Sequence, residues 1–278
     1  MQSLTVAAPA KINLFLHVTG RRPDGYHTLE SVFVAVDFGD TLTLALRDDG
    51  VVRRSAGHAA IPPADDLAVR AARALQAATG TPLGVDLSVD KRIPLGGGLG
   101  GGSSDAASVL LALNRLWGTR LPRDELARIG LSLGADVPFF IGGTPAFVRG
   151  IGEALTPVSL PALWVTVWIP AIVVPTPSVF AAAELTRNTP SAKMEVFSEG
   201  YGRNDLQPVV AARHPDVAIA LAGLAKHAPH ARMTGSGACV FASFGSARLA
   251  RAALAARPAG FGGFVTRTLA RHPLAGFA

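Results

Sequence analysis

Six glycines fall within seven residues in the run Pro94-Leu95-Gly96-Gly97-Gly98-Leu99-Gly100-Gly101-Gly102-Ser103-Ser104-Asp105-Ala106-Ala107. Without Cβ atoms, such a backbone can approach a ligand closely and turn several N–H groups toward it. The Ala/Leu-rich stretch that follows has helical character, and a helix start adds unpaired amides and a positive dipole end. Together these suit a phosphate. A flexible linker would not run straight into a helix with Ser-Ser-Asp at its cap and first turn.

Two familiar phosphate loops do not fit. A Walker loop ends in Gly-Lys-Ser/Thr, whereas Gly102-Ser103-Ser104 has no lysine. The spacing Gly96-x-Gly98-x-x-Gly101 matches a dinucleotide fingerprint, with Asp124 roughly 20 residues on. That fingerprint follows a continuously apolar parallel strand. Here Val85-Asp86-Leu87-Ser88-Val89-Asp90-Lys91-Arg92-Ile93 alternates, which marks a half-exposed, antiparallel strand, and Pro94 breaks its join to the loop.

Other residues have chemical potential. Asp136 lies among Gly134, Val137, Pro138, Phe139 and Phe140, and a carboxylate in so apolar a setting needs a partner or a purpose. It reads either as a group that accepts a hydroxyl proton or as a turn or capping aspartate. Only four of the 26 cationic residues are lysines: Lys11, Lys91, Lys193 and Lys226. A compact ammonium has uses that a guanidinium fork does not. Lys11 is a candidate counter-ion for Asp136 that would favour a developing alkoxide; the plainer role is a cation at a strand edge. Lys91 could serve adenosine or phosphates, or lie exposed on its strand. Tyr26 and His27 present two flat rings after a tight turn, able to stack on a base and bond its edge. Phe180 alone reads as core packing.

These residues need elements to hold them. Residues 4–18 read as a strand with Ile12, Leu14, Leu16 and Val18 on a core face and Lys11, Asn13, Phe15 and His17 on the other. Arg22-Pro23-Asp24-Gly25 is a turn, and strands follow at 28–37 and 41–47. Helices are expected over 65–78, from the glycine loop to Trp117, and from Pro122 to Gly134. A boundary near Gly150-Ile151-Gly152 precedes a strand at 165–174, helices at 176–185 and between 204 and 227, and a strand–helix–strand ending near Leu269. This is an α+β plan with domains 1–152 and 153–278.

Composition narrows the class. With 49% hydrophobic and 17% charged residues, 278 residues make a globular chain rather than a disordered one. The net charge of +6 comes from scattered arginines with no run above two, so a nucleic-acid partner is not expected, and a modest positive field suits an anionic nucleotide. Leu163 to Val174 is too short to span a membrane, Lys11 interrupts any signal-peptide core, and the single Cys239 fits a reducing cytoplasm. No histidine or cysteine spacing marks a metal site.

The glycine run resembles the loop of the GHMP kinase superfamily. The resemblance extends through Pro9-Ala10-Lys11-Ile12-Asn13-Leu14-Phe15-Leu16, Asp24-Gly25-Tyr26-His27-Thr28-Leu29, Gly134-Ala135-Asp136-Val137-Pro138 and Thr234-Gly235-Ser236-Gly237-Ala238-Cys239. Within the superfamily these blocks are similar to the branch whose substrate is a cytidine-diphosphate-linked methylerythritol. The resemblance implies a two-domain α+β fold with its site in the inter-domain cleft. It also implies ATP and Mg²⁺ as cofactors, a small-molecule partner, and a monomer or homodimer. It makes Lys11 and Asp136 catalytic. It assigns Lys91, Pro94, Leu95, Gly96, Gly97, Gly98, Leu99, Gly100, Gly101, Gly102, Ser103 and Ser104 to the nucleotide, with either serine able to reach phosphate or Mg²⁺. Asn13, Tyr26, His27, Thr176 and Phe180 go to the substrate, with Phe180 on the far side of the base. Gly235-Ser236-Gly237 closes over a phosphate or supports the loop. Two positions depart from the family: Asp66 where Asn is common, and Ala181 where a basic residue is common. A non-catalytic nucleotide sensor, or a homoserine- or mevalonate-type kinase, is the alternative.

Overall fold

The computed structural model describes residues 2–192 and 201–278; Lys193 lies outside them. Two sheets organise the chain. The first is built on β1 (Ser3–Arg21) and β2 (His27–Arg47), a long antiparallel hairpin. Strand β2 also pairs with β4 (Gly84–Asp90) and β5 (Ala146–Arg149). Strand β3 (Val52–Ala56) runs parallel to β4, and β6 (Ala154–Pro157) pairs with β5. Helices α1 (Leu67–Thr79), α2 (Gly101–Leu116), α3 (Arg123–Leu131) and α4 (Val137–Gly142) share a core with this sheet. The alternation of residues 85–89 does what its period requires: Val85, Leu87 and Val89 are buried in that core.

The second sheet has the order β10-β7-β9-β8, from β7 (Trp164–Ile169), β8 (Arg232–Met233), β9 (Val240–Phe244) and β10 (Gly262–Arg267). Helices α5 (Thr176–Phe180), α6 (Gln207–Arg213), α7 (Pro215–Ala225) and α8 (Ala247–Ala255) belong to this half. A third cluster, with Ile12, Val32 and Val34 from the hairpin against Val165, Val167 and Phe241, joins the sheets. Among the described residues no helix is long and apolar enough to cross a membrane.

Several expectations are corrected. Strand β1 does not keep a simple two-faced alternation, because register shifts between Pro9 and Lys11 and between Asn13 and Leu16 rotate its side chains. Phe15 therefore joins the core of Ile12 and Leu14, while Leu16 and Val18 enter the core of the second half. The two strands expected at 28–37 and 41–47 are one, pressed close to β1 at Gly39, where a Cβ would sit 2.2 Å from the Ala8 carbonyl oxygen. Strand β7 stops at Ile169, before Pro170, and α5 covers only five residues. The division expected at 152/153 cuts the β5–β6 hairpin, so the first sheet runs to Pro157. The C-terminal segment also returns to the first half: Leu269 donates to the Ala35 carbonyl, His272 to that of Gly143, and Leu274 is buried in the first core. Strands β3, β5, β6 and β8 are too short to leave a periodic signal.

Candidate active site

One cleft of about 860 Å³ gathers the glycine loop, Lys11, Asp136, the Tyr26-His27 turn and the start of α5. The loop's shape depends on left-handed φ values at Gly96 (65°), Gly98 (75°) and Gly100 (72°). Three bonds anchor it to its surroundings. The Lys11 amide donates to the Leu99 carbonyl at 3.0 Å, and that of Cys239 to Gly97 at 3.3 Å. The Thr234 hydroxyl reaches the Gly98 carbonyl at 3.4 Å. The second glycine turn, 235–237, thus supports the first loop, and Ser236 also lines the cleft. There Thr176 Oγ1 and Ser236 Oγ are 2.6 Å apart, joining the start of α5 to that turn.

Helix α2 is capped by Gly100 with no side-chain bond, so the serines lie inside its first turn rather than at its cap. This leaves the first helical amides free of intrahelical partners, on residues Gly101 to Ser103 that line the cleft. The two serines separate cleanly. Ser103 lines the cleft. Ser104 is fully buried, its Oγ donating to the Pro9 carbonyl at 2.7 Å and its amide to Gly100 at 2.9 Å. The expectation that Ser104 contacts nucleotide is corrected: both its donors are already used to fix α2 on β1.

Lys11 and Asp136 come together across the fold, Nζ to Oδ2 at 3.3 Å. Asp136 stands at the N-cap position of α4 yet makes no capping bond, which rules against a purely structural turn aspartate. Lys11 is 3% exposed, donates to Asn13 Oδ1 at 2.7 Å and lies 4.4 Å from the Phe33 ring centroid. Asn13 is in turn held by Ser31 and Thr234. Its carboxamide oxygen is thus committed to aiming Lys11. A Cβ on Gly100 would lie 3.1 Å from Lys11 Cγ, so the loop glycine also makes room for the ammonium's stem.

Lys91 is not an exposed strand lysine. It is bonded to Asp40 and, at 2.7 Å, to Asp105 of α2, beneath the loop. Asp40 also accepts from the amides of Arg92 and Ile93 at 2.6 and 2.7 Å. Burial tends to lower the Lys91 pKa, but the two carboxylates outweigh it and raise it. Burial pushes the Asp105 carboxyl well above the carboxylate range, and nearby Asp40 adds to the rise against the pull of Lys91. Its Oδ1 is buried and, among the described residues, has no hydrogen-bond partner. A carboxyl whose folded pKa is raised contributes stability at low pH and loses it as pH climbs. Asp105→Asn is therefore expected to be tolerated near pH 6 and to gain on wild type as pH rises toward 9, read as the difference in Tm between the two across that range. A constant difference would mean the carboxyl is ionised throughout.

At the other end of the cleft, the His27 ring stacks on Phe180, with centroids 5.2 Å apart and planes at 27°. That spacing leaves no room for a base between these two rings. Tyr26 is 62% exposed at the cleft edge, set by an Asx turn in which its amide donates to Asp24 Oδ1. Arg187 Nε donates to His27 Nε2 at 3.0 Å. The sequence reading missed Arg187, Thr234, Asp40 and Asp105 as site-shaping residues. Asp105 and Thr234 stood inside quoted blocks, while Asp40 and Arg187 left no local signal.

The family description "GHMP kinases N terminal domain" matches residues 66–144 and "GHMP kinases C terminal" matches 181–261. The 4-diphosphocytidyl-2-C-methyl-D-erythritol kinase of Cupriavidus metallidurans is 55% identical over 276 residues, covering 98% of this chain and 94% of the relative. That of Thiobacillus denitrificans is 55% identical over 270 residues, 97% of each.

The chain belongs to the GHMP kinase family.

A solved 4-(cytidine 5'-diphospho)-2C-methyl-D-erythritol kinase superposes on this GHMP kinase with a TM-score of 0.85 at 34% identity, over 95% of this chain and 99% of that one. Homoserine kinase from Cytophaga hutchinsonii, at 18% identity and a TM-score of 0.75 over 98% and 96% of the chains, shares the GHMP kinase fold alone. The two departures of this GHMP kinase have local accounts. Asp66 caps α1 through the Ala68 amide and pairs with Arg54 at 2.7 Å, while its neighbour Leu67 lines the cleft. Ala181 lines the cleft without charge.

Proposed function

We propose that this GHMP kinase transfers the γ-phosphoryl of ATP to the 2-hydroxyl of 4-diphosphocytidyl-2-C-methyl-D-erythritol, giving the 2-phosphate on the non-mevalonate route to isopentenyl diphosphate. The observation that carries the site assignment is the Lys11–Asp136 pair in one cleft with the open N-terminus of α2. Amides of Gly96 to Ser103 hold the triphosphate, where the helix dipole favours negative charge. Lys91 braces this loop from below. The cytosine presents its edge to the His27 ring, with Tyr26 as a stacking surface and Thr176 at the cleft wall.

Phosphoryl transfer has a loose transition state, so positioning and charge stabilisation dominate. Asp136 orients the hydroxyl and takes its proton, and the Lys11 ammonium stabilises the oxygen as it loses that proton. Among the described residues no cluster of His, Cys, Asp or Glu could hold a metal ion by itself. That suits Mg²⁺ carried in on the nucleotide, since Mg²⁺ keeps waters and takes few protein ligands. Ser103 and Asp136, which both line the cleft, would hold Mg²⁺, and it would supply neutralisation of phosphate charge there. A cytoplasmic monomer or homodimer is consistent with this reading.

A coupled assay of ADP release decides it. The cytidylated alcohol is expected to support turnover while homoserine and mevalonate do not. Turnover with either of those, or nucleotide binding with no ADP from any of the three, overturns the assignment.

A further inference from the structure

We infer that Arg187 sets the pyrimidine preference of the cleft by fixing which nitrogen of His27 carries the ring proton. The inference rests on the proposed placement of a nucleobase beside His27. A guanidinium has donors and no acceptor, and it stays charged. Its Nε lies 3.0 Å from His27 Nε2, so that nitrogen accepts and is unprotonated. The ring's single proton is then on Nδ1. Among the described residues Nδ1 has no hydrogen-bond partner, and it is not one of the buried orphan atoms, so it is open on a residue that lines the cleft.

Arg187 is itself held firmly. Its guanidinium donates to the carbonyls of Phe180 at 3.1 Å, Ala182 at 2.6 Å and Leu185 at 3.0 Å. The same residue therefore folds the chain after α5 and sets Phe180 flat on His27. Protonation of Nε2 would bring two cations together. Burial, then Arg187 and Arg21, holds the His27 pKa below its ordinary value. At neutral pH His27 thus offers one N–H to the cleft and no acceptor. Cytosine answers with two acceptors, O2 and N3. Uracil carries a proton on N3 and would oppose donor to donor there. A His27 of the opposite tautomer would reverse that preference, which makes Arg187 a positioning residue for base selection.

The test uses the whole chain and two readouts. In the first, kcat/KM is compared for the cytidine- and uridine-diphosphate-linked alcohols. Arg187→Leu is expected to shrink the cytidine preference at least ~10-fold, mostly through KM, because the cost of facing unpaired donors no longer falls on one base alone. Arg187→Lys keeps a donor without an acceptor and should restore most of it. The pH profile of kcat/KM in Arg187→Leu should also shift its acidic limb upward as the cation leaves His27. Loss of activity toward both substrates by the same factor, with the preference intact, would overturn the inference and leave Arg187 a loop brace.

The second readout needs no variant and no turnover. The ¹⁵N shifts of the His27 ring in the wild-type chain should report protonated Nδ1 and bare Nε2. The reverse pattern overturns the inference even if Arg187→Leu fails to fold. A chain that shows the expected tautomer but binds neither CDP nor UDP by calorimetry counts against the proposed substrate and leaves the ring assignment standing.

Discussion

Lys11→Met is expected to lower kcat by ~10²–10³-fold, the scale of losing one charge-stabilising donor at a reacting oxygen, while the fold persists. The structure explains why stability should be spared. Met occupies much the same volume beside Phe33. Asn13 Oδ1 keeps the Thr234 hydroxyl at 3.2 Å when the ammonium goes. Asp136, with its side chain 30% exposed, can be hydrated. No buried group is orphaned, so a change in Tm beyond that of ~1 kcal/mol would be surprising. Asp136→Asn removes the proton acceptor but keeps the shape, with an expected loss of ~10²–10⁴. Because the two groups act on one oxygen, the double variant should be little worse than the poorer single one. Steady-state kinetics on all three variants checks this, with KM for ATP as the control. Independent, multiplicative losses would mean that the 3.3 Å pair is not a functional unit; near wild-type kcat in both singles would remove them from the chemistry.

What the residue string disclosed depended on whether a residue's task was local. Gly96, Gly98 and Gly100 announce themselves because only a residue without Cβ readily tolerates their φ values and close approaches. The β4 alternation was legible because its pairing with β2 is regular. The β1 faces were not, because bulges reset the phase of a two-residue period without leaving a mark in composition. Nothing local joins Lys11 to Asp136; their charges made the pair a candidate, and the family resemblance made it catalytic. The Lys91–Asp40–Asp105 cluster draws on β2, α2 and the segment after β4, so each member alone looks like an ordinary charged residue. Likewise the Tyr26-His27 turn and Phe180 were read as opposite sides of a base, and nothing local announced that Arg187, far along the chain from His27, helps seat Phe180 on the His27 ring. Tertiary contacts decided every one of these cases, and they are what periodicity cannot encode.

Gly98→Ala should be the most damaging single change in the loop. Two costs coincide there. Its φ of +75° lies in the left-handed region, which costs an L-residue roughly 1–2 kcal/mol. Its added Cβ would also meet the Thr234 carbonyl oxygen at 2.1 Å and Gly237 N at 3.2 Å. These are backbone atoms of the second glycine turn and cannot rotate away as a side chain would. The loop or the turn must move, and the amides aimed at the triphosphate move with it. A shift of an ångström in such a cradle is costly to positioning. The expected result is a rise of at least ~10-fold in KM for ATP, with Tm lowered by the equivalent of ~2–4 kcal/mol. Gly80→Ala supplies the matching control. Gly80 has φ +64° at the end of α1 and open space around its would-be Cβ, so it bears the conformational cost alone. It should lower Tm modestly and leave KM for ATP unchanged. If Gly98→Ala did no more than Gly80→Ala, the contact between the two glycine turns would not be what holds the phosphate loop in place.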